Sequence, residues 1–144
     1  MRKLIFTVAV SIASMSVAHA DQLVFSAEKS GNNRIAALDY VSDGDAVSFL
    51  FRIDVPGGTA ARVNLKSCVA SLPKSHAGQC NFSNGQIIGL VYSDTNERLP
   101  KGIISVGQIS TASDVAGDLK VAHFEAANGN GEMLEAKVAA STAK

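Results

Sequence analysis

Few side chains in this 144-residue chain could do chemistry: three histidines (His19, His76, His123) and two cysteines (Cys68, Cys80). His76 follows Ser75, a base beside a nucleophile. Adjacent residues rarely meet head-on, and no nearby carboxylate is placed to orient the ring, so a solvated loop histidine is expected. His123 lies in a predicted strand with Glu125 two residues on, hence on the same face. That is the arrangement of a general acid and base, and equally of a polar pair facing solvent; the solvent pair is the expectation. Asp43-Gly44-Asp45 offers two carboxylates to a hard cation such as calcium, but lacks EF-hand spacing and reads as a turn opening the next strand. Asn128-Gly129-Asn130-Gly131 resembles a phosphate-cradling glycine loop, yet no Lys-Ser/Thr follows and no helix begins there. It reads as a hairpin turn. Asn81-Phe82-Ser83 matches a glycosylation acceptor, but the bacterial-looking leader argues against its use. No catalytic residues, metal ligands or cofactor are expected.

Met1-Arg2-Lys3 is a short basic start, Leu4 to Val17 is apolar or small, and Ala18-His19-Ala20 fits the small-x-small pattern of a cleaved leader. Residues 1–20 are therefore expected to be a signal peptide, and 21–144 a single domain beginning at Asp21. The apolar run is too short to span a hydrocarbon core of ~30 Å. No membrane span is expected, and the destination is the periplasm or the exterior. In an oxidising compartment Cys68 and Cys80, twelve positions apart, read as a disulfide. Zinc would need four ligands, and only two histidines would remain after cleavage.

The leader removes Arg2 and Lys3, leaving 11 basic against 13 acidic residues. That balance gives no support for nucleic-acid binding, which needs a basic excess. With 47% apolar residues the chain can bury a core.

The elements that must position these residues are strands. Val47, Phe49, Phe51, Ile53 and Val55 alternate with Ser48, Leu50, Arg52 and Asp54, and Pro56-Gly57-Gly58 stops the run. Ile87 to Tyr92 is apolar on both faces, as in a strand near the middle of a sandwich. Asn84-Gly85 predicts a tight hairpin ahead of it. A second hairpin is expected from Leu119–Phe124 to Met133–Val138. Further strands are expected at Gln22–Ser26, Arg34–Val41, Ala60–Leu65 and Gly102–Ile109; Ser113–Gly117 and Val69–Pro73 could each make one helical turn, too short to be stable without tertiary support. Eight or nine short strands separated by turn residues predict an all-β, antiparallel two-sheet sandwich.

From Ser48 to Val138 the chain resembles the cohesin-like sandwiches, which share a superfamily with certain cellulose-binding modules. Four stretches carry the resemblance: Val47–Val55 with Pro56-Gly57; Cys68–Cys80 with Asn84-Gly85 and Gln86–Ser93; Asn96–Gly102 leading into Ile103–Ile109; and Phe124–Leu134 around its Asn-Gly turn. The disulfide departs from the general pattern, and no dockerin or catalytic module is expected beside the domain. The resemblance implies recognition of a protein or polysaccharide partner rather than turnover.

The expected function is thus that of an exported, non-catalytic binding domain, with a small periplasmic or secreted enzyme or enzyme inhibitor as the alternative. Glycan recognition draws on aromatic platforms, and this chain has no Trp and two tyrosines. A protein partner is favoured. If rings contribute, Tyr40 and Tyr92 are the candidates.

Overall fold

The computed structural model describes residues 21–112 and 119–140. The leader and the turn expected at Ser113–Gly117 lie outside the described residues. Ten strands follow in order: β1 (Asp21–Ser30), β2 (Asn33–Ser42), β3 (Ser48–Asp54), β4 (Val63–Asn64), β5 (Ala77–Ser83), β6 (Gln86–Tyr92), β7 (Gly102–Ala112), β8 (Lys120–Ala127), β9 (Met133–Leu134) and β10 (Ala136–Ala140). They form two five-stranded sheets, ordered β9-β8-β3-β6-β5 (the front sheet) and β10-β1-β2-β7-β4 (the back sheet).

The sandwich follows from alternation. On β3 the odd-numbered Phe49, Phe51 and Ile53 are buried, as are Leu23 and Phe25 on β1 and Ala36, Leu38 and Tyr40 on β2. Period-two burial on both sheets makes two inner faces, and their union is the core. Rings tie the sheets together: Tyr40 of the back sheet lies 4.4 Å from Phe49 and 5.8 Å from Phe124 of the front sheet. Gly89 sits opposite Phe51 in the β3–β6 register, where a Cβ would come within 2.1 Å of the Phe51 ring. Only glycine leaves room for that ring.

The Asn84-Gly85 hairpin forms as expected, with φ of 53° and 76° at the two turn residues. Three expectations need correction. Ala60–Leu65 is not one strand: a 3-10 turn over Ala60–Arg62 leads into the two-residue β4. Val69–Pro73 makes no helix, and the chain from Lys66 to Ser71 runs in consecutive turns instead. The closing hairpin is cut short. Met133 and Leu134 pair with Ala127 and Ala126, then the chain passes to the other sheet at Glu135. From Ala136 it runs parallel to β1, the single parallel pair among otherwise antiparallel ladders. Period two cannot distinguish one strand from two that change sheets in mid-run.

Cys68 and Cys80 are bonded, with Cα atoms 6.4 Å apart. The bridge joins the turns after β4 to the front-sheet edge strand β5, and Cys68 is fully buried. Val69 and Leu72 from the same turns pack at Gly78 of β5, where a Cβ would meet each at 3.1 Å. The loop thereby closes one side of the sandwich.

Candidate binding face

Registers place the outward side chains of the front sheet in rows. One row reads Glu125–Leu50–Leu90–Gln79 across β8, β3, β6 and β5. The next reads His123–Arg52–Ile88–Asn81, and a third reads Lys120–Asp54–Gln86–Ser83. Leu50, Ile88 and Leu90 are half-buried by their neighbours, with no strand or helix above them among the described residues. Tyr92, opposite Ala77, extends this apolar centre and is 37% exposed. Met133 at the β9 edge is 60% exposed. Between them lies a depression of about 110 Å³, lined in part by Leu50, Leu90, Ala127 and Met133. It has room for an apolar side chain. The apolar centre ringed by charged and amide groups has the anatomy of a protein–protein interface.

Charge on the rim is modest. His123 Nε2 and Glu125 Oε2 lie 2.8 Å apart on two exposed side chains, the polar pair facing solvent that period two predicts. Gln86 donates to Asp54 Oδ1 at 2.7 Å.

A second concavity opens at one end of the sandwich. It is a cleft of about 490 Å³ between the β2–β3 loop, the β6–β7 loop and the β8–β9 turn, lined by Asp45, Val47, Asn96, Arg98, Asn128 and Asn130 among others. The strand-rich sequence suggests too little chain for a cleft of this size, and the structure corrects that. Three connections meet there, a convergence that no local pattern reveals. Its walls are braced: Asn128 Oδ1 accepts from the backbone N–H groups of Asn130 and Glu132, and Asn96 donates to the Gly129 carbonyl. The Asn128–Gly131 segment is a hairpin turn, with Gly131 N–H bonded to Asn128 O at 3.0 Å.

The histidine in the disulfide loop is not solvated. His76 is 8% exposed; its Nε2 lies 3.0 Å from the Val47 carbonyl and its Nδ1 2.8 Å from Ser75 Oγ. A carbonyl only accepts, so the neutral ring carries its proton on Nε2 and receives the Ser75 hydroxyl hydrogen at Nδ1. Adjacent residues do meet head-on here, because the imidazole is pulled inward to the end of β3. Neither residue lines the cleft or the depression. The ring works as a brace between the loop and Val47.

Tyr40, one of the two ring candidates, is fully buried, and this corrects its place among exposed groups. Its hydroxyl donates to Asp21 Oδ2, and Asp21 Oδ1 accepts from the Asp43 backbone N–H at 2.9 Å. Burial, with the Asp21 carboxylate beside it, pushes the Tyr40 hydroxyl well above the ordinary tyrosine range. Asp43 thus turns its backbone toward Asp21, while Asp45 faces the cleft. No three of His, Cys, Asp and Glu come together as metal ligands among the described residues. No helix of the described residues is long and apolar enough to cross a membrane.

The two five-stranded sheets, mostly antiparallel, make the fold that of the cohesin modules. The chain is similar to a non-cellulosomal cohesin from the hyperthermophilic archaeon Archaeoglobus fulgidus, with a TM-score of 0.56, 11% identity, and coverage of 84% of this chain and 88% of that one. The cohesin module of a Clostridium perfringens family 33 glycoside hydrolase superposes with a TM-score of 0.56 at 14% identity, covering 85% and 97%. The sixth cohesin of scaffoldin B from Acetivibrio cellulolyticus, solved in complex with a dockerin, gives 0.57 at 12% identity, covering 83% and 94%. No protein-family model and no curated protein matches the chain. The likeness is one of fold.

Proposed function

We propose that the chain is an exported, non-catalytic binding module whose partner is a protein docking on the outer face of the front sheet. The observation that carries this reading is the run of rows with Leu50, Leu90 and Ile88 at the centre and polar residues at both ends. An uncovered apolar centre on an outer sheet face marks an interaction surface. The reading is supported by a solved cohesin of the same fold whose partner is a dockerin, a protein. Export is supported by the leader pattern of residues 1–20. A polysaccharide is the poorer fit, because the face offers a single exposed ring, Tyr92.

The test is capture from culture supernatant and envelope extracts with three forms of the domain: native, Leu90→Lys and Ser105→Lys. Ser105 points outward on the back sheet, opposite Asp39. Proteins retained by the native and Ser105→Lys forms and lost from Leu90→Lys support the reading. An identical set on all three forms overturns it.

A further inference from the structure

Asp21 holds a carboxylate that is 1% exposed at the start of β1. Both oxygens accept hydrogen bonds, from the Tyr40 hydroxyl and from the Asp43 backbone N–H. No lysine, arginine or histidine among the described residues pairs with it. Two donors meet the carboxylate, and among the described residues no cationic side chain stands beside them.

The Asp21 backbone nitrogen, three bonds from that carboxyl carbon, donates to the Glu135 carbonyl at 3.0 Å. As a peptide nitrogen it carries one hydrogen and no charge. As a chain terminus it carries three hydrogens and a positive charge. One hydrogen can keep the bond to Glu135, and the others can turn to the carboxylate.

We propose that removal of residues 1–20 creates the missing counter-ion: the new α-ammonium of Asp21 pairs with the residue's own buried carboxylate and bonds the Glu135 carbonyl. This rests on the leader reading and on the bonds seen at Asp21. Peptide hydrolysis between Ala20 and Asp21 consumes one water, leaving the carboxylate on Ala20 and the amine on Asp21, which takes up a proton at neutral pH. The placement is economical for the fold. Glu135 is the residue at which the chain passes between the sheets, and Ala136 opposite Asp21 begins the parallel β10–β1 ladder. An ammonium there fastens the last strand to the first. Leader removal is then a stabilising step, and the precursor is the looser form.

The test compares the protein exported from the full chain, beginning at Asp21, with one carrying a single additional alanine ahead of Asp21. Both are made with native Asp21 and with Asp21→Asn. The added alanine moves the charge off Asp21 and is expected to lower Tm by roughly 3–6 °C in the native background. In Asp21→Asn, with no carboxylate to pair, the same addition should shift Tm by less than about 1 °C. Equal Tm values for the two native-background proteins, or the same loss in Asp21→Asn, overturn the ion pair. If Asp21→Asn fails to fold, α-amine labelling at neutral pH decides. The amine of the form starting at Asp21 should react several-fold more slowly than that of the extended form, and equal rates overturn the proposal. Intact mass separates the two premises: a mature mass that does not start at Asp21 refutes leader removal at this bond, whereas the Tm comparison addresses the ion pair alone.

Discussion

The two outer faces of the sandwich are built from the same kind of ladder and carry different side chains. Across β8, β3, β6 and β5 the front rows place Leu50, Leu90 and Ile88 at the middle. Across β1, β2 and β7 the back rows read Ser26–Ala37–Gln108 and Val24–Asp39–Ser105, with small or polar residues at the middle. The row Glu28–Ile35–Ser110 has a single apolar residue at its middle, and the corner row Gln22–Val41–Ile103 ends on Ile103 at 78% exposure. A sheet needs one apolar face to make a core. The back sheet scatters its outward apolar residues, Val24, Ile35 and the Val41–Ile103 pair, among small and polar ones. The front sheet keeps an apolar stripe on both sides of β6.

The largest expected effect breaks the frame common to both faces. Replacing both cysteines (Cys68→Ser with Cys80→Ser) frees the turns that close one side of the sandwich, and the chain-entropy cost is about 3 kcal/mol for a loop of this length. A Tm drop of about 10 °C in calorimetry is the expected outcome. Free thiols in the native exported protein would show that the bond does not form.

Next comes the contrast between the faces. Leu90→Lys should weaken partner binding by at least about 30-fold, near 2 kcal/mol, as expected for the centre of an interface. It should leave Tm nearly unchanged, because the side chain points outward. Ser105→Lys on the back sheet should change affinity less than about 2-fold. Titration calorimetry with a partner isolated by capture measures both.

A third prediction separates the inner side from either outer face. Tyr40→Phe removes the hydroxyl that Asp21 accepts from and should cost about 1–3 kcal/mol of stability with no direct loss of binding. The same hydroxyl gives a pH dependence. Its folded-state pKa is raised, while an unfolded tyrosine ionises near pH 10. Its stabilising contribution is therefore complete below about pH 10 and is lost progressively as pH rises further. The Tyr40 phenolate absorbance should appear together with loss of the β-sheet circular dichroism signal, and its appearance in folded protein would contradict the burial.

Much of the inner side is legible in the residues themselves. The alternation from Val47 to Val55, the Asn84-Gly85 turn and the doubly apolar Ile87–Tyr92 each report local backbone geometry, and local geometry is what sequence periodicity encodes. The sandwich follows from these. The outer face of the front sheet is half legible: the apolar stripe on β6 is visible, but its alignment with Leu50 depends on a cross-strand register. Tyr40 illustrates the limit. Its even position on β2 is as compatible with the inside as with the outside until Asp21, 19 residues away, supplies an acceptor. The cleft walled by Asp45, Asn96 and Asn128 draws on three connections far apart in the chain. No single one of them announces it.

The smallest expected effects come from the two histidines, and they sharpen the contrast between inside and outside. His123 sits on the rim of the front face, 48% exposed in its side chain, and its pairing with Glu125 is a surface contact. Such pairs contribute about 0–1 kcal/mol, so His123→Ala should move Tm by no more than about 2 °C. Its effect on binding should be confined to the association rate and its salt dependence, because rim charges steer encounter more than they hold the complex. His76→Ala should behave in the opposite way. It deletes a buried donor to the Val47 carbonyl and the acceptor of the Ser75 hydroxyl, at a cost of about 1–2 kcal/mol. Binding at the front face should persist wherever the variant is folded, since His76 does not reach that surface. Thermal melts and stopped-flow association of both variants make the comparison. A larger Tm loss for His123→Ala than for His76→Ala would reverse the assignment of inside and outside, and a catalytic turnover abolished by His76→Ala would turn the Ser75–His76 brace into an active pair.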